Sequence, residues 1–130
     1  MSKEDFIQLM TGKPWRNRSL SFDAVDCWGL VALYYSNVIG KEINHTKRYM
    51  DNGDFSACFF DEVVYWRKTD HRSDGCIFVA YIGSFPAHVG LVINGEAYHA
   101  RAESSHVRFD RIRTIEKLFT KVEYYEYANN

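Results

Sequence analysis

Apolar positions divide the chain into a helical first third and a strand-rich remainder. Phe6, Ile7 and Met10 fall on one side of a short helix over residues 3–10, which Gly12 ends. The stretch "GKPWRNRSLSFDAVD" reads as a loop, punctuated by Gly, Pro, Asn and Ser. Trp28, Val31, Ala32, Tyr35, Val38 and Ile39 then recur at helical spacing, with Gly40 placed to stop the helix. Residues 58–66 read as a second short helix.

After Asp74-Gly75 the period changes. "CIFVAYIG" is a β-rich run, followed by a break over Ser84 to Pro86. "HVGLVI" and "EAYHAR" flank Asn94-Gly95, a strong short-range hairpin signal. "HVRFD" and "KVEYYEYA" read as two further strands. Helices come first and an antiparallel sheet second, so the expected class is α+β. With no repeat, low-complexity segment or linker, residues 1–130 read as one domain.

Composition narrows the function little. The chain is 46% hydrophobic and 25% charged, values of an ordinary globular protein. Its net charge of −1 supplies no field to draw it to nucleic acid or an anionic membrane. The 16% aromatic content fits either a dense core or a groove for sugar or peptide. No window approaches the roughly 18 apolar residues of a membrane span. The start "MSKEDFIQLM" lacks the apolar stretch of a signal peptide, so synthesis and folding are expected in a cytoplasm. Three cysteines without a Cys-x-x-Cys pair argue against a disulfide framework or a zinc ribbon.

Candidate chemistry centres on Cys27. It stands at the start of its predicted helix, where unpaired N–H groups and the macrodipole favour a thiolate. A buried structural thiol is the alternative by position alone. The hairpin changes the balance. A two-residue turn at Asn94-Gly95 pairs Ile93 with Glu96 and, by continuation, Gly90 with His99. His88, Gly90 and Val92 then share a face with Ala97, His99 and Arg101, and His88 and His99 are diagonal neighbours. Glycine at position 90 is expected to leave open space beside His99. Val89, Leu91, Ile93 and Tyr98 take the opposite face and suit the core. A cysteine at a helix start with two histidines on one sheet face fits a nucleophilic Cys/His site. A zinc ion held by Cys27, His88 and His99 remains an alternative, although no ligand pair has typical metal spacing; no metal or cofactor is expected. Asp26 either binds a substrate amine or caps the helix, and Trp15 and Trp28 either wall a cleft or pack in the core. Cys58 and Cys76 read as structural.

"DCWGLV" at 26–31 followed by "HVGLVINGEAYHA" at 88–100 resembles the NlpC/P60 family of cysteine peptidases. "GKPW" at 12–15 is similar to that family's Gly-x-Pro-Tyr/Trp segment. The resemblance implies a reduced papain-like fold, with the cysteine helix packed on a five- or six-stranded antiparallel sheet. It also implies Cys27 as nucleophile, His88 as general base and acid, and His99 as the residue orienting His88. The implied substrate is a peptidoglycan stem peptide, cut between γ-D-glutamate and a diamino acid. The chain looks most like members found in phage tails, which implies other tail proteins as partners and the virion as final location. A structural tail component without hydrolase activity, or another Cys/His reaction on the same fold, are the competing readings. Trp28 stands where many relatives have serine, and "RSDGC" at 72–76 replaces their Pro-Gly-Asp.

Overall fold

A computed structural model describes residues 1–43, 59, 62–101 and 106–128. Helix α1 spans Lys3–Met10. Ser2 caps it by accepting from the Asp5 N–H, and Glu4 and Asp5 in the first turn complement the positive helix end. It buries Phe6 and Met10, the residues its spacing placed inward. Helix α2 spans Cys27–Tyr34 and continues as one π-helical turn over Tyr35–Ile39. Gly40 stops it in the left-handed region at φ 84°, with the N–H groups of Gly40 and Lys41 both donating to the Tyr35 carbonyl. α2 is buried nearly all round, which explains why almost every position in "CWGLVALY" is apolar or glycine.

Strands β1 (Leu20–Ser21) and β2 (Ala24–Val25) form a small hairpin ahead of α2. The main sheet comprises β3 (Trp66–Thr69), β4 (Ile77–Ile82), β5 (Phe85–Ile93), β6 (Glu96–Ala100), β7 (Val107–Asp110) and β8 (Lys121–Tyr127). Its order is β3-β8-β4-β5-β6-β7, every neighbouring pair antiparallel. Helix α3, Ile112–Leu118, joins β7 to β8.

Two apolar layers cover the two sheet faces. On one, α1 and α2 bring Phe6, Leu30, Val31 and Tyr34 onto Ile77, Val79, Val89, Leu91, Ile93 and Tyr98. On the other, Ile112 and Ile115 of α3 pack on Phe78, Ala80, Val92 and Ala97. The strict alternation in β5 therefore separates two buried faces.

The structure departs from the sequence reading in five places. Trp66 begins a strand, directly preceded by a 3₁₀ turn over Val63–Tyr65. Trp66 is drawn into the sheet by burial against Trp28, Tyr35 and Tyr127. Phe59 and Glu62 are helical as expected, while Cys58 and residues 60–61 lie outside the described residues. The break after β4 is a tight turn at Gly83-Ser84, and Pro86 sits within β5 beside a register shift. The 12–26 loop contains the β1–β2 hairpin, and Pro14 and Trp15 form isolated bridges to His106 and Val25. α3 was not expected. Finally, the space beside Gly90 is filled: a Cβ there would lie 2.4 Å from the Phe78 ring and 2.7 Å from the His99 Cβ.

Candidate active site

The start of α2 is fixed by Asp26. Its side chain accepts from the Gly29 N–H (2.6 Å) and from the Arg18 N–H (2.8 Å), so both carboxylate oxygens hold backbone donors. This is a capping geometry, and it sews the helix start to the preceding loop. Gly29 completes the join. A Cβ at this position would fall 2.1 Å from the Ser19 carbonyl oxygen. The "DCWG" stretch thus has a physical basis: an acid to cap, a thiol at the first helical position, and a glycine where the loop crosses the helix.

Cys27 is partly exposed and packs against the core on the α2 side of the sheet. Burial pushes its thiol up to about 12, and the Asp26 carboxylate adds to this. Backbone N–H groups of Val89, Trp28 and Cys27 pull the other way. The Val89 donor places the sulfur against the β5 backbone. No hydrogen bond joins the Cys27 and His88 side chains among the described residues; such bonds tighten in substrate complexes.

The histidines meet as their shared face requires. The β5–β6 ladder has the expected register, Leu91↔Tyr98, Val92↔Ala97 and Ile93↔Glu96, but ends before the Gly90–His99 position. His88 Nε2 lies 2.8 Å from His99 Nδ1, and His99 Nε2 lies 2.7 Å from Asp110 Oδ2. Phe78 sets its edge against both imidazoles, and Phe119 stacks on His88. Both rings are buried, His99 completely.

Protonation follows from these contacts. Burial lowers the His88 pKa well below its ordinary value, and the charges of His99 and Arg101 act in the same direction. Burial also lowers His99, against the opposing hydrogen bond and charge of Asp110. Burial raises Asp110, but Arg108 (Nη2 to Oδ1, 2.8 Å) and His99 outweigh it, leaving the carboxyl below its usual range. At neutral pH Asp110 is therefore a carboxylate and both imidazoles are neutral. A carboxylate only accepts, so His99 Nε2–H donates to Asp110 and His99 Nδ1 carries the lone pair. That lone pair accepts from His88 Nε2–H. The chain of contacts leaves His88 Nδ1 as the basic nitrogen.

One pH effect follows. The unfolded chain takes up protons at its histidines as pH falls through about 6.5, while native His88 and His99 resist. Their contribution to stability is complete above pH 6.5 and declines below it, by up to about 2.7 kcal/mol per pH unit for two groups. Urea unfolding at pH 7.5 and 5.5 is expected to show a lower midpoint at pH 5.5, and the His88→Gln/His99→Gln double variant a smaller drop.

The other expected residues lie elsewhere. Trp28 is 5% exposed and packs edge-on to Trp66, so it belongs to the core and forms no cleft wall. Trp15 is partly exposed, pairs with Val25 two residues before Cys27, and packs against the same core. Asp110 was missed. It lies in the expected strand "HVRFD" and pairs with Ala97 across β6, on the face shared with His99, a register that no tight turn announces in the sequence. A cavity of about 510 Å³ opens beside His88, lined by Ile82, Ala87, Arg101, Arg108, Asp110, Thr114, Leu118 and Phe119. Among the described residues no cluster of three metal-ligating side chains occurs, and no helix is long and apolar enough to cross a membrane.

Comparison with solved structures places this geometry among known folds. NlpC1 from Trichomonas vaginalis is similar with TM-score 0.65 at 16% identity, over 95% of this chain and 42% of that one. The NlpC/p60 domain of the peptidoglycan hydrolase SagA gives 0.59 at 13%, over 94% and 92%. An NLP/P60-family protein described as similar to lipoprotein, from Staphylococcus aureus subsp. aureus Mu50, gives 0.62 at 13%, over 98% and 40%. The chain thus spans less than half of two of these proteins and nearly all of the SagA domain. No curated protein matches the sequence. The profile of the NlpC/P60 family matches residues 12–125, from the "GKPW" segment into the last strand, and the chain belongs to the NlpC/P60 family.

Proposed function

We propose that the protein is a cysteine peptidase that hydrolyses amide bonds of peptidoglycan stem peptides, with Cys27 as nucleophile. The observation that carries this reading is the Asp110–His99–His88 chain, which presents one basic nitrogen on the strand that Cys27 abuts. His88 Nδ1 takes the thiol proton as the sulfur attacks the carbonyl carbon. The resulting imidazolium is stabilised through His99 by the Asp110 carboxylate. The tetrahedral intermediate collapses, the C–N bond breaks, and His88 gives its proton to the leaving amine. Water, deprotonated by His88, then attacks the thioester and frees Cys27. Backbone N–H groups at the start of α2 are the donors nearest the developing oxyanion.

Family membership and the likeness to the SagA domain support peptidoglycan as substrate. The finer assignment, cleavage between γ-D-glutamate and a diamino acid by a phage-tail component, rests on the "GKPW" and "DCWGLV" segments. Digestion of defined muropeptides tests the first part; mass analysis should find the γ-glutamyl bond cut, and intact muropeptides would oppose it. A phage carrying Cys27→Ser tests the second. Loss of infectivity with normal particle assembly supports a wall-cutting role. The raised thiol pKa and the missing Cys27–His88 hydrogen bond favour the alternative of a structural tail module, which unchanged infectivity would select.

Asp110→Asn separates a relay from a scaffold. An amide can donate to His99 and invert its tautomer, so His88 loses its acceptor and Nδ1 its lone pair. The expected loss in kcat is about 10²–10⁴-fold, with KM nearly unchanged. Asp110→Glu is expected to recover part of it. Equal kcat in Asp110→Asn would remove Asp110 from the mechanism.

A further inference from the structure

The β5–β6 ladder stops at Leu91–Tyr98, just before the Gly90–His99 position. Backbone pairing therefore does not set the spacing of His88 on β5 and His99 on β6, yet their ring nitrogens meet at 2.8 Å. The β4–β5 ladder continues past this point, with Phe78 opposite Gly90 and Ala80 opposite His88. The Phe78 ring lies against Gly90, where a Cβ would fall 2.4 Å from it. From there it meets both imidazoles edge to face, with ring centres 5.8 Å from His88 and 5.7 Å from His99. It thus spans the place where β5 and β6 are no longer paired. The ring is buried and packs in one layer with Ala80, Val92, Ile112 and Ile115. Close packing makes such a ring a stiff stop.

We infer that Phe78 is a positioning residue for the Asp110–His99–His88 chain: its ring, seated in the notch that Gly90 leaves, holds the two imidazoles at hydrogen-bond distance where the backbone does not. The kinetic consequence rests on the hydrolase reading above; the structural one does not. Asp110 fixes His99 from β7, and Phe119 stacks on His88. Phe78 is in contact with both rings at once. Without its flat ring the His88 side chain can turn, break its Nε2–H bond to His99 Nδ1 and carry its proton on either nitrogen. A proton on Nδ1 removes the lone pair that takes the thiol proton. Gly90 and Phe78 act as a unit, because a side chain at position 90 would occupy the place of the ring.

The test reads the imidazoles directly. Long-range proton–nitrogen correlation spectra of the full chain, labelled at histidine and recorded at pH 7.5, report which ring nitrogen carries the proton. His88→Gln and His99→Gln assign the signals. In the parent, both residues are expected to carry the proton on Nε2. Phe78→Leu and Phe78→Met keep the position apolar and remove the flat ring; methionine adapts to the space, so that variant should fold even where Phe78→Leu does not. Each is expected to give His88 signals averaged between two tautomers and a kcat about 10–100-fold lower, with KM within about twofold. Phe6→Leu removes a buried ring from the layer on the other sheet face, and is expected to lower stability while both tautomers stay as in the parent. Parent-like tautomers in the folded Phe78 variants overturn the inference. So do mixed tautomers in the parent, or tautomers disturbed equally by Phe6→Leu. Shifted tautomers in the Phe78 variants, with no stem-peptide cleavage by the parent, support the positioning role and count against the hydrolase reading alone, because the spectra are read without turnover.

Discussion

Replacing Cys27 with alanine is expected to abolish stem-peptide hydrolysis, lowering kcat by at least about 10⁴-fold, while the fold persists. The size of the loss follows from the roles assigned. In the proposed mechanism His88, His99 and Asp110 only move and stabilise a proton; without the sulfur there is no covalent intermediate for them to serve. The fold should tolerate the change because Cys27 is partly exposed and the helix start is held by Asp26 and Gly29. Removing a thiol whose ionised form is disfavoured by burial and by Asp26 also removes no stabilising charge. Muropeptide digestion followed by chromatography, with near-identical urea midpoints for both proteins, checks both halves. The resting thiol is further expected to alkylate slowly with iodoacetamide at pH 7, since thiolate is scarce when the pKa lies near 12. In the proposed mechanism its deprotonation belongs to the reaction with substrate, where His88 Nδ1 takes the proton as the bond forms. Persistent hydrolysis by Cys27→Ala would place the nucleophile elsewhere.

Gly29→Ala is expected to be the most damaging single methyl addition. The new Cβ would stand 2.1 Å from the Ser19 carbonyl oxygen and 3.1 Å from Asp26 Oδ1. The first neighbour is backbone and cannot rotate away. Relief requires moving the loop that carries Ser19, and that loop is tied to the helix start by the Asp26 N–H to Ser19 carbonyl bond (3.2 Å) and by the Arg18 N–H to Asp26 contact. Overpacking of this kind reaches about 3 kcal/mol. That is a large share of a typical domain stability of about 5–15 kcal/mol. For a chain of this length the melting temperature should fall by on the order of 10 °C. The same shift would displace the first turn of α2 and with it Cys27, so residual activity should drop even where the protein remains folded. A melting temperature within about 2 °C of the parent would contradict this account of the glycine.

The parts of the fold legible in the sequence were those with a strong period or an unmistakable turn. The β5–β6 register followed from Asn94-Gly95 alone, because a two-residue turn leaves one pairing that keeps Val89, Leu91, Ile93 and Tyr98 inward. α1 and α2 followed from helical spacing and their glycine stops. α3 was hidden because it has seven residues, only Ile112 and Ile115 buried, and no side-chain cap. β3 was misread because Trp66 follows apolar residues that mimic a helical run, and only its sheet partner β8, far along the chain, makes it a strand. At the candidate site, the pairing of His88 with His99 was legible from strand alternation. Asp110 was not, because the connection after Arg101 is long and the β6–β7 register could not be anchored by a tight turn. The filling of the space at Gly90 by Phe78 came from β4, a third strand whose register to β5 the sequence does not announce. Trp28 has the composition of a cleft residue, and its burial is decided by Trp66 on the edge strand.

The central claim is that Cys27 forms a covalent intermediate whose formation depends on His88. The most direct measurement is intact-protein and peptide mass spectrometry of the protein quenched in acid during turnover of a stem peptide. The account predicts an acyl adduct on the peptide containing Cys27, present in the unmodified protein and absent in His88→Ala. Turnover without an adduct at Cys27, or an adduct that forms equally well without His88, would contradict it.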